Sequence, residues 1–360
     1  MLRLLVINPG STSTKFGVFE GRRPVFSKSI RHGVEMSALT TLESQRVTRE
    51  KLICDTLEEE GISLDTMNAI VGRGGLLHPL EGGVYEVNAD MIDDLESRAY
   101  GWHSSNLGGI LADAIAKPRG LKAYIADPVI VDEMEALARF SGWPAIQRKS
   151  IFHALNQKAV ARRFANDQDT SYENINLIVA HLGGGISVGA HKKGRVIDVN
   201  NALTGDGPFS VERTGGLPLF SVMELCYSGN YTLDDLKKSF VGQGGLIAYL
   251  ETGDAIEINR RIKMGDEKAR LVMEALSYQV AKEIGAAATV LGGEVSAILI
   301  TGGLAHDPYV TGWITERVDF IAPVTIYPGE DELAALADAV GEALSGRMPI
   351  KTYRKERLTP

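Results

Sequence analysis

Short apolar runs separated by glycine-containing polar turns recur along the chain. Residues 2–7 form the first run, the polar turn NPGSTST follows, and apolar positions alternate with Gly17 in the next run. Alternation of this kind is typical of strands, so the pattern predicts strand, turn, strand. Similar glycine turns lie in HLGGGIS at residues 181–187 and in ITGGLAHD at residues 300–307. The last of these is predicted to follow a strand and to precede a helix.

Four longer segments have apolar residues near helical spacing and predict helices. They are 131–140, 154–165, 332–344 and 269–291, and in the last of these Leu271, Ala275, Tyr278 and Ala281 recur at that spacing. Strands mixed with helices in both halves indicate an α/β protein. The segments 200–218 and 242–254, which are rich in Pro and Gly, are predicted as loops inside the second half.

An internal repeat links the first strand and turn with a later segment. A shift of 173 residues places Leu4 on Leu177, Val6 on Val179, Gly10 on Gly183, Gly21 on Gly194 and Arg22 on Arg195. Identities at one offset indicate a duplicated unit, although single-sequence matches of this strength also arise by chance. We therefore predict two domains, 1–150 with a C-terminal return at 331–360, and 151–330.

Composition narrows the classes of function. The chain has 360 residues, 44% of them hydrophobic, and a formal net charge of −8 without a block of Lys or Arg. This charge disfavours nucleic acid and anionic membrane surfaces as partners. Only Cys54 and Cys226 are present, so neither a disulfide framework nor a structural zinc site is expected. No export signal or membrane span is indicated, and we expect a cytoplasmic protein that acts on small molecules.

The opening turn combines backbone N–H groups, hydroxyls and one ammonium group, a set that suits phosphate oxygens. Its candidate residues are Asn8, Ser11, Ser13 and Lys15. A Walker A loop is disfavoured because the second glycine is missing and a strand, not a helix, comes next. The alternative is an ordinary turn rich in Ser and Thr.

Consecutive glycines in the later turns allow a backbone to approach a ligand closely, at an entropic cost that an ordinary hairpin does not require. These glycines are Gly183, Gly184, Gly185, Gly302 and Gly303. Three glycine turns at strand ends predict a nucleotide held between two similar domains. A dinucleotide-binding fold is disfavoured, because no GxGxxG motif opens a helix.

Phosphoryl transfer also requires cations that stabilise the charge of the moving group. Arg73 in VGRGG and Arg213 in VERTGG are flanked by glycines that leave room around a guanidinium, and the alternative for each is a surface arginine. His181, at the edge of its glycine turn, is either a phosphate donor or a structural histidine, and His153 is a weaker candidate. No nucleophile elbow or Ser-His-Asp arrangement indicates a hydrolase.

The motifs NPGSTSTK, HLGGGIS, VERTGGLP and ITGGLAHD occur in this order across nearly the whole chain, which thereby resembles the acetokinase family. The resemblance implies an α/β fold of two similar ribonuclease H-like domains of the actin and Hsp70 type, with mixed sheets flanked by helices and a cleft between them. It implies reversible, ATP-dependent phosphorylation of a short-chain carboxylate, butyrate or a branched-chain analogue, to the acyl phosphate. The alternatives are an acetate or propionate kinase, or a non-kinase ATPase module of the same fold.

The resemblance also assigns roles by motif position. Arg73 would bind the carboxylate, and His181 and Arg213 would bind the transferring phosphoryl group. Gly302 and Gly303 would bind adenosine. The remaining residues would bind phosphate and nucleotide, and they are Asn8, Ser11, Ser13, Lys15, Gly183, Gly184 and Gly185. The implied cofactors are ATP or ADP and Mg²⁺. The implied partners are the carboxylate and its acyl phosphate, and a homo-oligomer is expected.

Two departures from the family pattern concern magnesium. Lys149 stands where acetate kinases carry an acidic residue before the FH pair, and the acid that follows their GG turn is replaced around His306. Asp127 is the preferred substitute, as a catalytic and magnesium-binding residue, with helix capping as its alternative. Glu332 is the second candidate. A carboxylate acceptor is already ionised near pH 7, so no general base is needed.

Room for the acyl tail is expected from glycine-rich segments. The candidates are the glycines around Arg73 and the stretch SSNLGG at residues 104–109. For the second stretch, helix capping by Ser104 or Asn106 is the alternative.

Overall fold

The computed structural model describes residues 2–32, 41–204 and 206–355. The chain forms two compact units, Met1–Val131 with Asp331–Pro360, and Asp132–Glu330. No helix in the described ranges has the length and apolar character required to cross a membrane.

The first unit contains a mixed sheet of seven strands in the order β12-β5-β6-β4-β1-β2-β3. The strands are β1 (Arg3–Pro9), β2 (Ser13–Glu20), β3 (Arg23–Arg31), β4 (Ala69–Arg73), β5 (Val84–Glu86), β6 (Lys122–Ala126) and β12 (Ile350–Thr352). The helices are α1 (Leu42–Glu59), α2 (Ala89–Ser97), α3 (Asn106–Ala116) and α11 (Glu332–Leu344). Strands β1, β4 and β6 are parallel neighbours, so their carboxyl ends lie at one edge of the sheet.

The second unit contains a mixed sheet of five strands in the order β11-β10-β7-β8-β9. These strands are β7 (Asn176–Leu182), β8 (Ile186–Lys192), β9 (Arg195–Val199), β10 (Ala297–Gly302) and β11 (Val324–Pro328). The helices are α4 (Ala154–Asp167), α5 (Leu219–Tyr227), α6 (Leu233–Phe240), α7 (Gly245–Leu250), α8 (Ala255–Lys263), α9 (Glu267–Val290) and α10 (Pro308–Val318). The predicted α/β class with two mixed sheets is confirmed.

The two sheets share one strand plan. At the offset of 173 residues, β1 and β7 begin and end at matching positions. In each unit an antiparallel hairpin extends the first strand on one side and a parallel strand flanks it on the other. The turns also correspond in length, because β2 and β8 begin at the matching positions Ser13 and Ile186. Their closing bonds differ, since the Gly10 amide donates to the Ser13 carbonyl (2.7 Å) and the Gly183 amide donates to the Gly185 carbonyl (3.1 Å).

Helix α9 shows how tertiary packing selects a helix face. The predicted span at 269–291 is close to the observed one, and Asp266 caps the helix by accepting from the Ala269 amide. The buried face is formed by Met273, Leu276, Val280, Ile284 and neighbouring alanines. Leu271 and Tyr278, which the spacing placed on an apolar face, are 64% and 50% exposed. The helix was therefore predictable, and so were Ala275 and Ala281 on its packed side, but the rest of the buried face was not.

Two local predictions are wrong. The segment 242–254 is not only loop, because α7 forms within it. The segment 131–140 contains only a 3₁₀ turn at Ala136–Arg139. A helix does not form there because the Glu135 amide donates to the Ile197 carbonyl, and because the Met134 amide bonds to the Asp132 side chain.

A buried ion pair explains why residues 132–150 belong to the second unit, although the sequence analysis grouped them with the first. Lys158 Nζ on α4 lies 2.9 Å from Glu133 Oε2, and the two side chains are only 2% and 4% exposed. The same carboxylate oxygen accepts from the Val196 amide at 2.7 Å. Glu133 thus ties this segment to both α4 and β9.

Removing one partner of this pair should destabilise the protein strongly. Lys158→Met leaves the Glu133 carboxylate buried without its counter-ion, which costs about 3–5 kcal/mol. The measurement is urea unfolding. The control Lys51→Met removes an exposed pair with Asp55 and should change stability by less than about 1 kcal/mol. Equal effects of the two variants would contradict this account, as would a double variant with Glu133→Gln that recovers no stability.

Candidate active site

One polar cluster lies where the parallel strands of the first unit end. Asn8 is near the end of β1, Arg73 is the last residue of β4, and Asp127 directly follows β6. Ligand sites in α/β sheets commonly lie at such carboxyl ends. The strand order therefore brings three residues predicted from separate motifs to one edge.

Glu332 joins this cluster from α11. Its Oε1 lies 2.5 Å from Arg73 Nη1, and its Oε2 accepts from Asn8 Nδ2 at 2.5 Å. Arg73 Nη1 also donates to Asn8 Oδ1 at 3.4 Å. Glu332 is the first residue of a helix whose cap, Asp331, accepts from the Ala334 amide. The helix dipole favours a carboxylate at this end.

Asp127 has a different environment from Glu332. It is 1% exposed, and its Oδ1 accepts from the Gly83 amide at 2.7 Å. No regular helix begins at the next residue, so the alternative of helix capping is wrong. The described residues contain no group of three or more His, Cys, Asp or Glu side chains that could hold a metal.

The oxygen ligands of the first cluster nevertheless fit magnesium. Mg²⁺ is usually bound through one or two carboxylates together with water and substrate phosphates, rather than by a complete protein cage. Glu332 supplies a carboxylate and Asn8 supplies an amide oxygen, and both already converge on Arg73. This geometry favours Glu332 over Asp127, the reverse of the order expected from the sequence.

Some of the residues that are predicted to bind phosphate are exposed on the opening turn. Ser11 and Lys15 are exposed, and Ser13 is half-buried. On the inner side of the turn, Arg49 donates to the Gly10 carbonyl at 3.1 Å. Arg49 was not predictable as part of this site, because an arginine on a charged helix resembles a surface residue.

The glycines around Arg73 serve backbone packing. A β-carbon at Gly72 would lie 2.0 Å from the Gly108 carbonyl oxygen, and one at Gly75 would lie 2.5 Å from the Asn106 α-carbon. These glycines let α3 pack against β4 and do not leave room for an acyl tail. Asn106 is not a cap either, because its Oδ1 accepts from the Leu76 amide across the turn.

The second unit holds its own polar cluster around His181. This residue is 1% exposed, and its Nδ1 donates to Asn156 Oδ1 at 2.7 Å. Its Nε2 lies 3.4 Å from Glu330 Oε2, and its ring stacks on His153 with the ring centres 3.7 Å apart. Burial, with a smaller effect of His153, holds the pKa of His181 well below its usual range. The imidazole is therefore neutral near pH 7.

Arg213 reaches the same glycine turn from the other side. A β-carbon at Gly185 would lie 2.0 Å from Arg213 Nη1, and one at Gly183 would lie 2.9 Å from His181 Nε2. Arg213 Nη1 donates to the Ala202 carbonyl at 2.5 Å, and burial lowers the pKa of this guanidinium. The glycines predicted to admit a ligand therefore also admit the two side chains predicted to act on it.

The third glycine turn is built differently. Gly302 has a positive φ of 90°, and a β-carbon there would lie 2.4 Å from the Leu182 carbonyl oxygen. Gly303 opens a 3₁₀ turn and has open space around it. His306 and Lys149, the two departures from the family pattern, are both exposed.

Polar residues that the sequence analysis did not single out support His153. Ser187 Oγ bonds to His153 Nδ1 and accepts from Gln157 Nε2. Gln157 Oε1 accepts from His191 Nε2, and the Tyr172 hydroxyl bonds to the other nitrogen of that ring. This buried chain fixes the ring next to His181. Its members lie on different elements, and only Ser187 falls within a motif, HLGGGIS, so the sequence did not reveal the chain of bonds as a whole.

The sequence of the chain is similar to those of known proteins. A sequence profile described as the acetokinase family matches residues 144–312. Butyrate kinase 2 of Clostridium acetobutylicum is 50% identical over 353 residues, which cover 98% of this chain and 99% of that protein. The chain belongs to the acetokinase family.

Solved structures show that this acetokinase has the fold of acetate and propionate kinases. The acetate kinase of Porphyromonas gingivalis matches with a TM-score of 0.78 at 18% identity, covering 94% of this chain and 99% of that one. A propionate kinase of Francisella tularensis matches with a TM-score of 0.71 at 18% identity and the same coverage. The predicted fold class is thereby confirmed.

The buried histidines should make this acetokinase labile to acid. Burial, with smaller effects of Lys158 and Arg162, also holds the pKa of His191 well below its usual range. Below a pH of about 6.5 the unfolded chain binds protons that the native chain does not. The free energy of unfolding therefore decreases as the pH is lowered, by up to about 1.4 kcal/mol per pH unit for each histidine. The measurement is urea unfolding between about pH 8 and pH 5.

A matched pair of variants tests the cause of this slope. His191→Gln should reduce the pH dependence of stability below about pH 6.5, while His306→Gln, at an exposed position, should leave it unchanged. An unchanged slope in His191→Gln would assign the acid lability to other groups.

Proposed function

We propose that this acetokinase transfers the γ-phosphoryl group of ATP to a short-chain carboxylate, butyrate or a branched-chain analogue, and forms the acyl phosphate reversibly. The observation that carries the proposal is 50% identity over nearly the full length to a protein named butyrate kinase 2. The two arginine-containing clusters support it chemically, because phosphoryl transfer depends on positioning and on cations. We further propose that the enzyme is a cytoplasmic homo-oligomer.

Arg73 is the proposed carboxylate-binding residue. Its guanidinium already pairs with the Glu332 carboxylate, so its position and geometry suit a planar two-oxygen group. The acceptor is ionised near pH 7, and its oxygen attacks phosphorus without loss of a proton. The residues of this cluster therefore orient the acceptor, and none has to act as a base.

Arg213 and His181 are the proposed phosphoryl-binding residues. Arg213 keeps its charge at neutral pH and offers N–H donors beside the glycine turn. The neutral His181 ring uses its one proton in the bond to Asn156, so Nε2 presents a lone pair. An anionic phosphoryl group near Nε2 favours uptake of a proton there, which would convert the imidazole into a charged donor.

The nucleotide is proposed to use the remaining predicted residues. Ser11, Ser13 and Lys15 would bind phosphate oxygens, and Gly302 and Gly303 would lie beside the adenosine, where Gly303 has open space. Asn8 and Glu332 would hold Mg²⁺, which neutralises charge on the phosphate oxygens when bound. Asp127 remains the second magnesium candidate.

Loss of either arginine should reduce turnover sharply. We expect Arg73→Ala and Arg213→Ala to lower kcat by about 100-fold or more, since removal of one preorganised donor costs about 3–4 kcal/mol. Lys15→Ala should have a smaller effect. The measurement is acyl-hydroxamate formation from butyrate and ATP, with the exposed Arg270→Ala as control. Wild-type rates in both arginine variants, with unchanged circular dichroism, would refute these roles.

The acceptor tail should decide between butyrate and acetate. Each buried methylene contributes about 0.8 kcal/mol by transfer and about 1–3 kcal/mol in well-packed sites. We therefore expect kcat/KM for butyrate or isobutyrate to exceed that for acetate by at least about 10-fold.

If wild-type kcat/KM for acetate equals or exceeds that for butyrate, the acetate or propionate kinase alternative is favoured.

A further inference from the structure

Arg49 is a buried cation whose described hydrogen-bond partners are all neutral oxygens. It lies on α1 and is 2% exposed. Its Nη1 donates to Thr14 Oγ1 at 2.6 Å and reaches the Ser13 carbonyl at 3.5 Å, while Nη2 donates to the Gly10 carbonyl at 3.1 Å. Its buried Nε has no hydrogen-bond partner. One guanidinium thus contacts both ends of the opening turn.

These contacts orient the peptide groups of the turn. In a trans peptide the C=O and the following N–H point in opposite directions. Because the Gly10 carbonyl points at the guanidinium, the Ser11 N–H points away from it. The Gly10 amide closes the turn on the Ser13 carbonyl, which Arg49 also contacts. Arg49 therefore fixes the direction in which the turn presents an N–H donor.

Arg49 also places positive charge behind the turn. Burial lowers the pKa of Arg49 to about 10, so the group remains protonated at neutral pH. Thr14 Oγ1 accepts from Arg49 and lies 2.9 Å from His32 Nε2, within hydrogen-bond distance of that ring. The Arg49 charge contributes, after burial, to a lowered pKa of His32.

We propose that Arg49 is a positioning residue of the phosphate site, which orients the Ser11 N–H outward and adds buried positive charge behind it for the phosphates of a nucleoside triphosphate. This inference rests on the proposed function. Arg49 itself is not proposed to contact the phosphates. Its guanidinium is buried on the inner side of the turn, whereas Ser11 is exposed on the turn.

The test compares two variants of Arg49 with a control on the same helix. Arg49→Met removes both the positive charge and the guanidinium N–H donors, whereas Arg49→Lys keeps only the charge. The control, Arg46→Met, removes a side chain that is paired with Glu43 and Glu50. We expect Arg49→Met to raise KM for ATP by about tenfold or more, since hydrogen bonds to charged groups are lost, while KM for butyrate changes by less than about twofold. Arg49→Lys should be intermediate, and Arg46→Met should match wild type.

Two further measurements separate positioning from stability and from the reaction itself. Guanidinium ion at millimolar concentration should partly restore ATP affinity to Arg49→Met and have no such effect on wild type. ATP binding, measured by titration calorimetry, should weaken by the same factor as KM rises, and this readout does not depend on which carboxylate is phosphorylated. If the wild type binds ATP but phosphorylates no short-chain acid, the proposed function fails and the Arg49 inference remains testable.

Any of three results would overturn the inference. The first is ATP affinity in both Arg49 variants within about twofold of wild type. The second is a parallel rise in KM for ATP and butyrate that follows a lowered melting temperature, because this would indicate a role in folding only. If Arg49→Met does not fold, Arg49→Lys with unchanged ATP affinity also overturns it.

Discussion

At certain glycines near the ends of the central strands, neighbouring groups approach the backbone too closely to admit a β-carbon. The polar cluster around Arg73 and the one around His181 both depend on this packing. At Gly72 a β-carbon would lie 2.0 Å from the Gly108 carbonyl oxygen, so α3 packs directly against the strand that carries Arg73. At Gly185 a β-carbon would lie 2.0 Å from Arg213 Nη1. At Gly72 this close packing fixes the backbone from which Arg73 extends, since interiors are close-packed. At Gly185 the absence of a β-carbon leaves room for the end of the Arg213 side chain.

The same packing determines the charge state of the clusters. Burial lowers the pKa of Arg49, of Arg213 and of His181. An arginine remains protonated near pH 7 after such a shift, whereas a histidine becomes neutral. The two arginines are therefore permanent cations, whereas His181 is neutral near pH 7 even though the Glu330 carboxylate lies 3.4 Å from its Nε2. Holding such groups out of water costs free energy, which the apolar cores offset.

Features that depend on near neighbours in the chain were predictable. The strand, turn and strand around Gly10 and Gly183, the repeat between them and the helix Glu332–Leu344 follow from local hydrophobic patterns. The helix predicted at 131–140 failed because a distant lysine, Lys158, and the edge of β9 bind the polar groups of that segment. A local pattern carries no information about such partners.

The sequence by itself therefore determined the α/β class, the duplicated strand plan and, through four ordered motifs, the acetokinase family. Only the tertiary structure decided that Glu332 meets Asn8 across 324 positions of the chain, and that Arg49 lies beneath the opening turn. The physical reason is that periodicity and turn formation arise from contacts between close residues. Burial and pairing of charges depend on which distant side chains the fold brings within a few ångströms of one another.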